Sequence, residues 1–237
     1  MERFGTTQTG SLGAVSGAAE RITAFLRAVY GWMAVGLMVT AVVAWMVAGS
    51  DTLINTIASN RLLFWGIFGA QLGVVIFLSA RVQKLAPGIA AALFLGYSAL
   101  TGLTMAFVLR LYTGESVATT FFVTTHTFGA MALYGTVTSR SLAGMGQFLF
   151  MGLVGIVIAS VVGFFWQSDA LQFVISFCGV ILFTLLTAHD AQQLKDMALS
   201  VPDSQAGSFA VVGALRLYLN FINLFLFLLR FLGNRRN

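Results

Sequence analysis

SFAVVGALRLYLNFINLFLFLL, residues 208–229, is apolar after its opening serine except at Arg216, Asn220 and Asn223. A helix needs about 20 such residues to cross the roughly 30 Å of hydrocarbon in a bilayer. The three polar residues recur at i, i+4 and i+7 and so share one helical face, while Leu217, Leu219, Leu224 and Phe225 fall largely elsewhere. In lipid that face should turn inward. An arginine at the centre of a spanning helix costs roughly 2.5–3.5 kcal/mol on insertion scales, so Arg216 either snorkels to the interface or meets a carboxylate. The carboxylate at hand is Asp190, which ends the preceding apolar stretch; the loop 190–208 returns the chain to the same side and sets the two helix ends together. One reading of the pair is a buried ion pair that fixes helix register. The sharper reading is a gate at the cytoplasmic end of the bundle.

Working outward, further apolar stretches lie at 28–49, 62–80, 87–109, 116–136, 142–166 and 170–189, separated by breaks that hold most of the charge. Hydrophobic residues make up 58% of the chain and charged residues 9%, against about 25% charged in soluble domains. The mean hydropathy is +0.90. These values predict an all-α membrane protein with seven transmembrane helices, in two parts: residues 1–27 as a flexible cytoplasmic tail leading into the first helix, and residues 28–237 as the transmembrane domain. The tail lacks the apolar core and small-residue cleavage site of a signal peptide, and its helix is expected to begin near Ala18.

Basic residues set the orientation. A cytoplasmic N-terminus gives the inner segments Arg3, Arg21, Arg27, Arg81, Lys84, Arg140 and Lys195 and leaves the outer loops Arg61 and Arg110. Seven crossings would put Arg230, Arg235 and Arg236 outside; a re-entrant last segment would return them. The net charge of +5 and pI near 9.9 fit anionic lipid headgroups as the partner and exclude nucleic acid, because no basic run is interleaved with aromatics on a soluble face.

The same inventory removes several chemistries. One cysteine, Cys178, permits no internal disulfide and no CxxC site, and His126 and His189 stand in different helices without the partners of a zinc site. Neither Lys84 nor Lys195 lies inside the last span, where a retinal Schiff base would form. Aspartyl proteolysis would need a second membrane carboxylate beside Asp190. No enzyme, cofactor or transition metal is expected. Two polar stripes remain, Tyr97, Thr101 and Thr104, and Thr120, Thr124 and Thr127; each either lines a polar path or bonds its own i−4 carbonyls. Asn223, His126 and Thr124 are the weaker candidates for pore lining, His126 being more readily a core residue. Gly129, Gly135, Gly144, Gly146, Gly152 and Gly155 suit close helix packing.

Three stretches, TFGAMALYGTVTSRSLAGMGQFLFMGLVGIVIASVVGFF (127–165), LLTAHDAQQLK (185–195) and GALRLYLNFINLFLFLLRFLGNRR (213–236), resemble the Bax inhibitor family, the transmembrane Bax inhibitor motif proteins. The resemblance implies six helices around a central seventh and a pH-sensitive calcium leak, with calcium or another cation as the permeant ion. It further implies that Asp190 pairs with a partner in the last helix and with an arginine at the inner end of the second, for which Arg81 in LSARVQK is the counterpart. A bacterial inner membrane is the expected location. Two alternatives stand beside the leak: modulation of a membrane-bound ATP-dependent (AAA) protease through the tail, and transport of protons or small solutes.

The chain departs from the family pattern at one position. Where the family reads LYLDFINLF, this sequence has LYLNFINLF, so Asn220 replaces a carboxylate and Arg216 adds a positive charge one turn earlier. Two adjacent carboxylates share a proton and sense pH. An Asp with an Asn has no such conflict, and the amide donates to Asp190 at any ordinary pH. Asp190, Asn220, Arg81 and Arg216 are accordingly the expected gating and pH-sensing set.

Overall fold

The computed structural model describes residues 6–166 and 168–236; Glu2 and Arg3 lie outside them. Among the described residues the chain forms eight α-helices: α1 (Thr6–Ala48), α2 (Asp51–Ser59), α3 (Arg61–Arg81), α4 (Pro87–Leu111), α5 (Gly114–Val137), α6 (Gly146–Phe165), α7 (Asp169–Ser200) and α8 (Ala206–Leu232). Their starts follow from local chemistry. Asn60 accepts from the Leu63 amide at 3.0 Å and Thr113 from the Ser116 amide at 3.3 Å, each satisfying a first-turn donor. Pro87 opens α4, where its missing N–H costs nothing.

The expectation of seven transmembrane helices, six around a central seventh, is corrected here. Among the described residues six helices, not seven, are long and apolar enough to cross a membrane: Gly17–Ala48, Arg61–Lys84, Pro87–Leu111, Ala143–Gly163, Asp169–Ser200 and Ala206–Leu232. The stretch 116–136 falls short because its threonines and His126 dilute the apolar residues of α5. The eighth helix, α2, is a short amphipathic segment in what was read as a loop. Nor is α8 ringed by six helices: it packs chiefly against α1, α4, α5 and α7, while α3 leans on α4 and α6 on α7.

Two sets of contacts define the ends of the bundle. At one end Arg21 donates to the Val201 carbonyl at 2.6 Å and pairs with Asp203, Ser208 donates to Leu85 O at 2.6 Å, and Lys195 donates to Thr136 O at 2.8 Å. At the other, Arg110 donates to Ala48 O at 2.7 Å and pairs with Asp51, and the Thr113 amide donates to Asn234 O at 3.1 Å. Helix α5 joins the two ends.

The core centres on α8, with Leu217, Tyr218 and Leu224 fully buried. Tyr218 sits edge-on to Phe94 and Tyr97, and its hydroxyl lies 2.6 Å from Thr40 Oγ1, which itself donates to the Ser98 carbonyl at 2.8 Å. This chain of hydroxyls fastens α1, α4 and α8 where no water is available to satisfy them. Close approach elsewhere depends on glycine. A Cβ at Gly135 would overlap the Ala188 carbonyl of α7, and one at Gly179 would stand 2.6 Å from the Phe227 ring.

Candidate functional site

The turn between α7 and α8 runs from Val201 to Gln205, so the two helices descend side by side from one end of the bundle. Asp190 lies ten residues before the end of α7 and Asn220 well inside α8; both are buried, at 7% and 5% exposure. Asn220 Nδ2 donates to Asp190 Oδ2 at 2.8 Å. The second carboxylate oxygen faces His189 Nδ1 at 3.3 Å and the Arg216 guanidinium at 3.7 Å. Arg216 is held more closely by Gln193 Oε1, at 2.7 Å, and Gln193 Nε2 lies 3.4 Å from His189 Nε2. A buried carboxylate is expensive in lipid unless its oxygens are occupied. Here one oxygen takes the amide and the other looks toward the His189 ring and the Arg216 guanidinium.

Not every expected member reaches this cluster. Arg81 ends α3 exposed, and among the described residues it makes no ion pair or hydrogen bond, with Asp190 or any other partner. Asn223 shares the face of Arg216 and Asn220 but turns its amide to the Leu219 carbonyl at 2.8 Å, and it borders a cavity of about 910 Å³ between α3 and α6. His126 is exposed on α5, its Nδ1 2.9 Å from the Phe122 carbonyl and its ring against Phe122. Thr124 is buried and donates to Thr120 O at 2.7 Å, and Thr101 donates likewise to Tyr97 O at 3.0 Å, so these hydroxyls are spent on their own helices. Of the glycines in α5, α6 and the turn between them, Gly135, Gly146 and Gly152 face α7, while Gly129, Gly144 and Gly155 have open space.

Comparison with known proteins decides what this arrangement belongs to. The profile of the family described as "Inhibitor of apoptosis-promoting Bax1" matches residues 22–237. The chain is 49% identical to "Inner membrane protein YbhL" of Escherichia coli strain K12, over 90% of this chain and 92% of that one. An uncharacterized protein of Borreliella burgdorferi is 45% identical over 90% of this chain and 93% of its own length, and one of Deinococcus radiodurans 42% identical over 100% and 98%.

The chain belongs to the Bax1 inhibitor family.

With its six long apolar helices among the described residues, it is a multi-pass membrane protein in contact with the lipid bilayer. Asp190 and Asn220, far apart in the chain, are joined by a direct hydrogen bond. Two partners escaped the sequence reading. Gln193 stands three residues after Asp190, on the same face of α7, and the motif HDAQQLK contains that signal. The Thr40–Tyr218 bond joins positions far apart in the chain, and nothing local announces it.

Proposed function

We propose that this protein is a cation leak of the inner membrane, calcium being the ion its family suggests, and that the closed state is held where α7 meets α8 at Asp190. The observation that carries this reading is the buried hydrogen bond from Asn220 to Asp190. A hydrogen bond to a charged group is worth about 1.5–3 kcal/mol. Its loss would shift a closed–open equilibrium by roughly tenfold to a hundredfold, enough to act as a latch. The end that holds Asp190 faces the cytoplasm in this reading, with the N-terminus on the same side, because Arg21, Arg27, Arg81, Lys84, Arg140 and Lys195 cluster there.

The Asn amide donates to either protonation state of the carboxylate, so flux depends only weakly on pH between about 6 and 8, the range in which paired acids sense protons. The test is calcium flux in proteoliposomes across that range. Asp190→Ala raises the flux at least tenfold, and Asn220→Asp makes it rise steeply with pH as two adjacent carboxylates lose their shared proton and repel. An Asp190→Ala variant that conducts like the parent defeats the proposal, as does a parent whose pH response already equals that of Asn220→Asp.

A further inference from the structure

We propose that the cleft between α3 and α8 at the Asp190 end is a binding site for the phosphate of an anionic phospholipid, gripped by Arg216. The cleft measures about 210 Å³, and its walls include Ser79, Val82, Leu194, Met197, Phe209 and Arg216. A water molecule takes about 30 Å³ of liquid, so the space accepts a phosphate group with part of its glycerol.

Arg216 has donors to spare. Both of its contacts within the chain, to Gln193 and to Asp190, use Nη1; among the described residues Nε and Nη2 have no partner. Its side chain is 41% exposed. An arginine with a free edge matches a phosphate, which accepts two parallel N–H bonds from the guanidinium fork. The inner wall of the cleft is apolar along Val75 and Leu219, which suits an acyl chain running on from the headgroup.

The surrounding charge has the same sign. Arg81 closes α3 and Lys84 lies in the following 3₁₀ turn, Val82–Lys84, which packs against α8. Both cations are exposed, and among the described residues neither has an ion pair or a hydrogen bond from its side chain. The exposed carboxylates of this end, Glu20, Asp196 and Asp203, lie outside the cleft lining, and Asp203 is taken by Arg21. Arg216 lines the cleft, and the unpaired Arg81 and Lys84 stand within two residues of its wall residue Val82, a basic edge between membrane helices of the kind that selects anionic headgroups. The cleft exists whether or not the chain conducts ions.

The experiment measures lipid retention by native mass spectrometry on the full chain in detergent, with dioleoyl phosphatidylglycerol, dioleoyl phosphatidylcholine and inorganic phosphate as separate probes. The parent retains phosphatidylglycerol at least tenfold better than phosphatidylcholine. Removing one cation near a lipid surface costs about 1 kcal/mol, which is roughly fivefold in affinity, so Arg216→Gln weakens retention by that factor or more. Val82→Phe fills the cleft while keeping every charge and lowers retention as well, which separates the site from general folding damage. Arg230→Gln, at the opposite end and paired with Gln172, leaves retention unchanged. Equal retention by the parent and by both cleft variants overturns the assignment. So does equal retention of phosphatidylcholine, and inorganic phosphate that displaces the lipid at matched concentration makes the ligand a free anion instead.

Discussion

Helices α6 and α8 are both apolar enough to span a bilayer, yet 61% of the residues in the most apolar stretch of α8 are buried against 6% in that of α6. In water the more apolar helix goes inside. In lipid that rule lapses, because the tails are as apolar as leucine and packing must be won by fit and hydrogen bonding. Helix α8 goes inside because it carries Arg216, Tyr218 and Asn220, which need partners, and α6 remains outside because Phe148, Val157 and Ile158 are as content against lipid as against protein.

Substitution by alanine breaks this comparison most sharply. Leu217→Ala and Leu224→Ala, fully buried in α8, should each cost about 2–5 kcal/mol by the cavity they leave. Ile158→Ala, 59% exposed on α6, should cost next to nothing, since lipid replaces lipid contact. Thermal unfolding in one detergent measures all three, and similar melting points would show that α8 is not the packing centre.

Helix approach gives a smaller effect. Gly135→Ala forces a methyl group onto the Ala188 carbonyl and should cost about 1–3 kcal/mol; Gly155→Ala, with open space, should be neutral. The same melting assay decides it, and equal stability would mean that α5 and α7 part easily. A third comparison sets the buried polar pair against an exposed one. Asn220→Leu removes the donor from a buried carboxylate and should cost about 1–3 kcal/mol. Asp51→Asn breaks only the Arg110 pair, whose side chains are 36% and 83% exposed, and should cost no more than about 1 kcal/mol, less in high salt.

The legible part of this molecule was the part written in short range. Apolar stretches located four spans within a few residues of both ends, while the first began at Gly17 rather than Ala28 and the span expected to end at His189 ran on to Ser200; the i, i+4 spacing of Arg216 and Asn220 placed both beside Asp190. The segment 116–136 was over-read because its length is right while its threonines and His126 are too polar. Helix α2 was missed because Asp51–Ser59 is too short for a span, although Ser50 before Asp51 is a plain helix start. Arg81 was expected at Asp190 by analogy, and the register of α3 turns it outward. Asn223 shows the limit of face counting, since sharing a helical face with Asn220 still left it at a different cavity.

Helix α7 has 32 residues, roughly 48 Å at 1.5 Å per residue, about 18 Å longer than the hydrocarbon is thick. The ten residues after Asp190 form an arm whose Leu194 and Ala198 are buried and whose Lys195 donates to Thr136 O, with Arg21 clasping the chain just beyond its tip at Val201 and Asp203. A tilt of about ten degrees around Asp190 carries the tip of that arm by roughly 2.5 Å, nearly the length of the bond at its pivot. Force applied at the tip, where Leu199 and Ser200 are exposed, is thereby delivered as torque on the Asp190–Asn220 contact, and whatever loads the arm loads the contact.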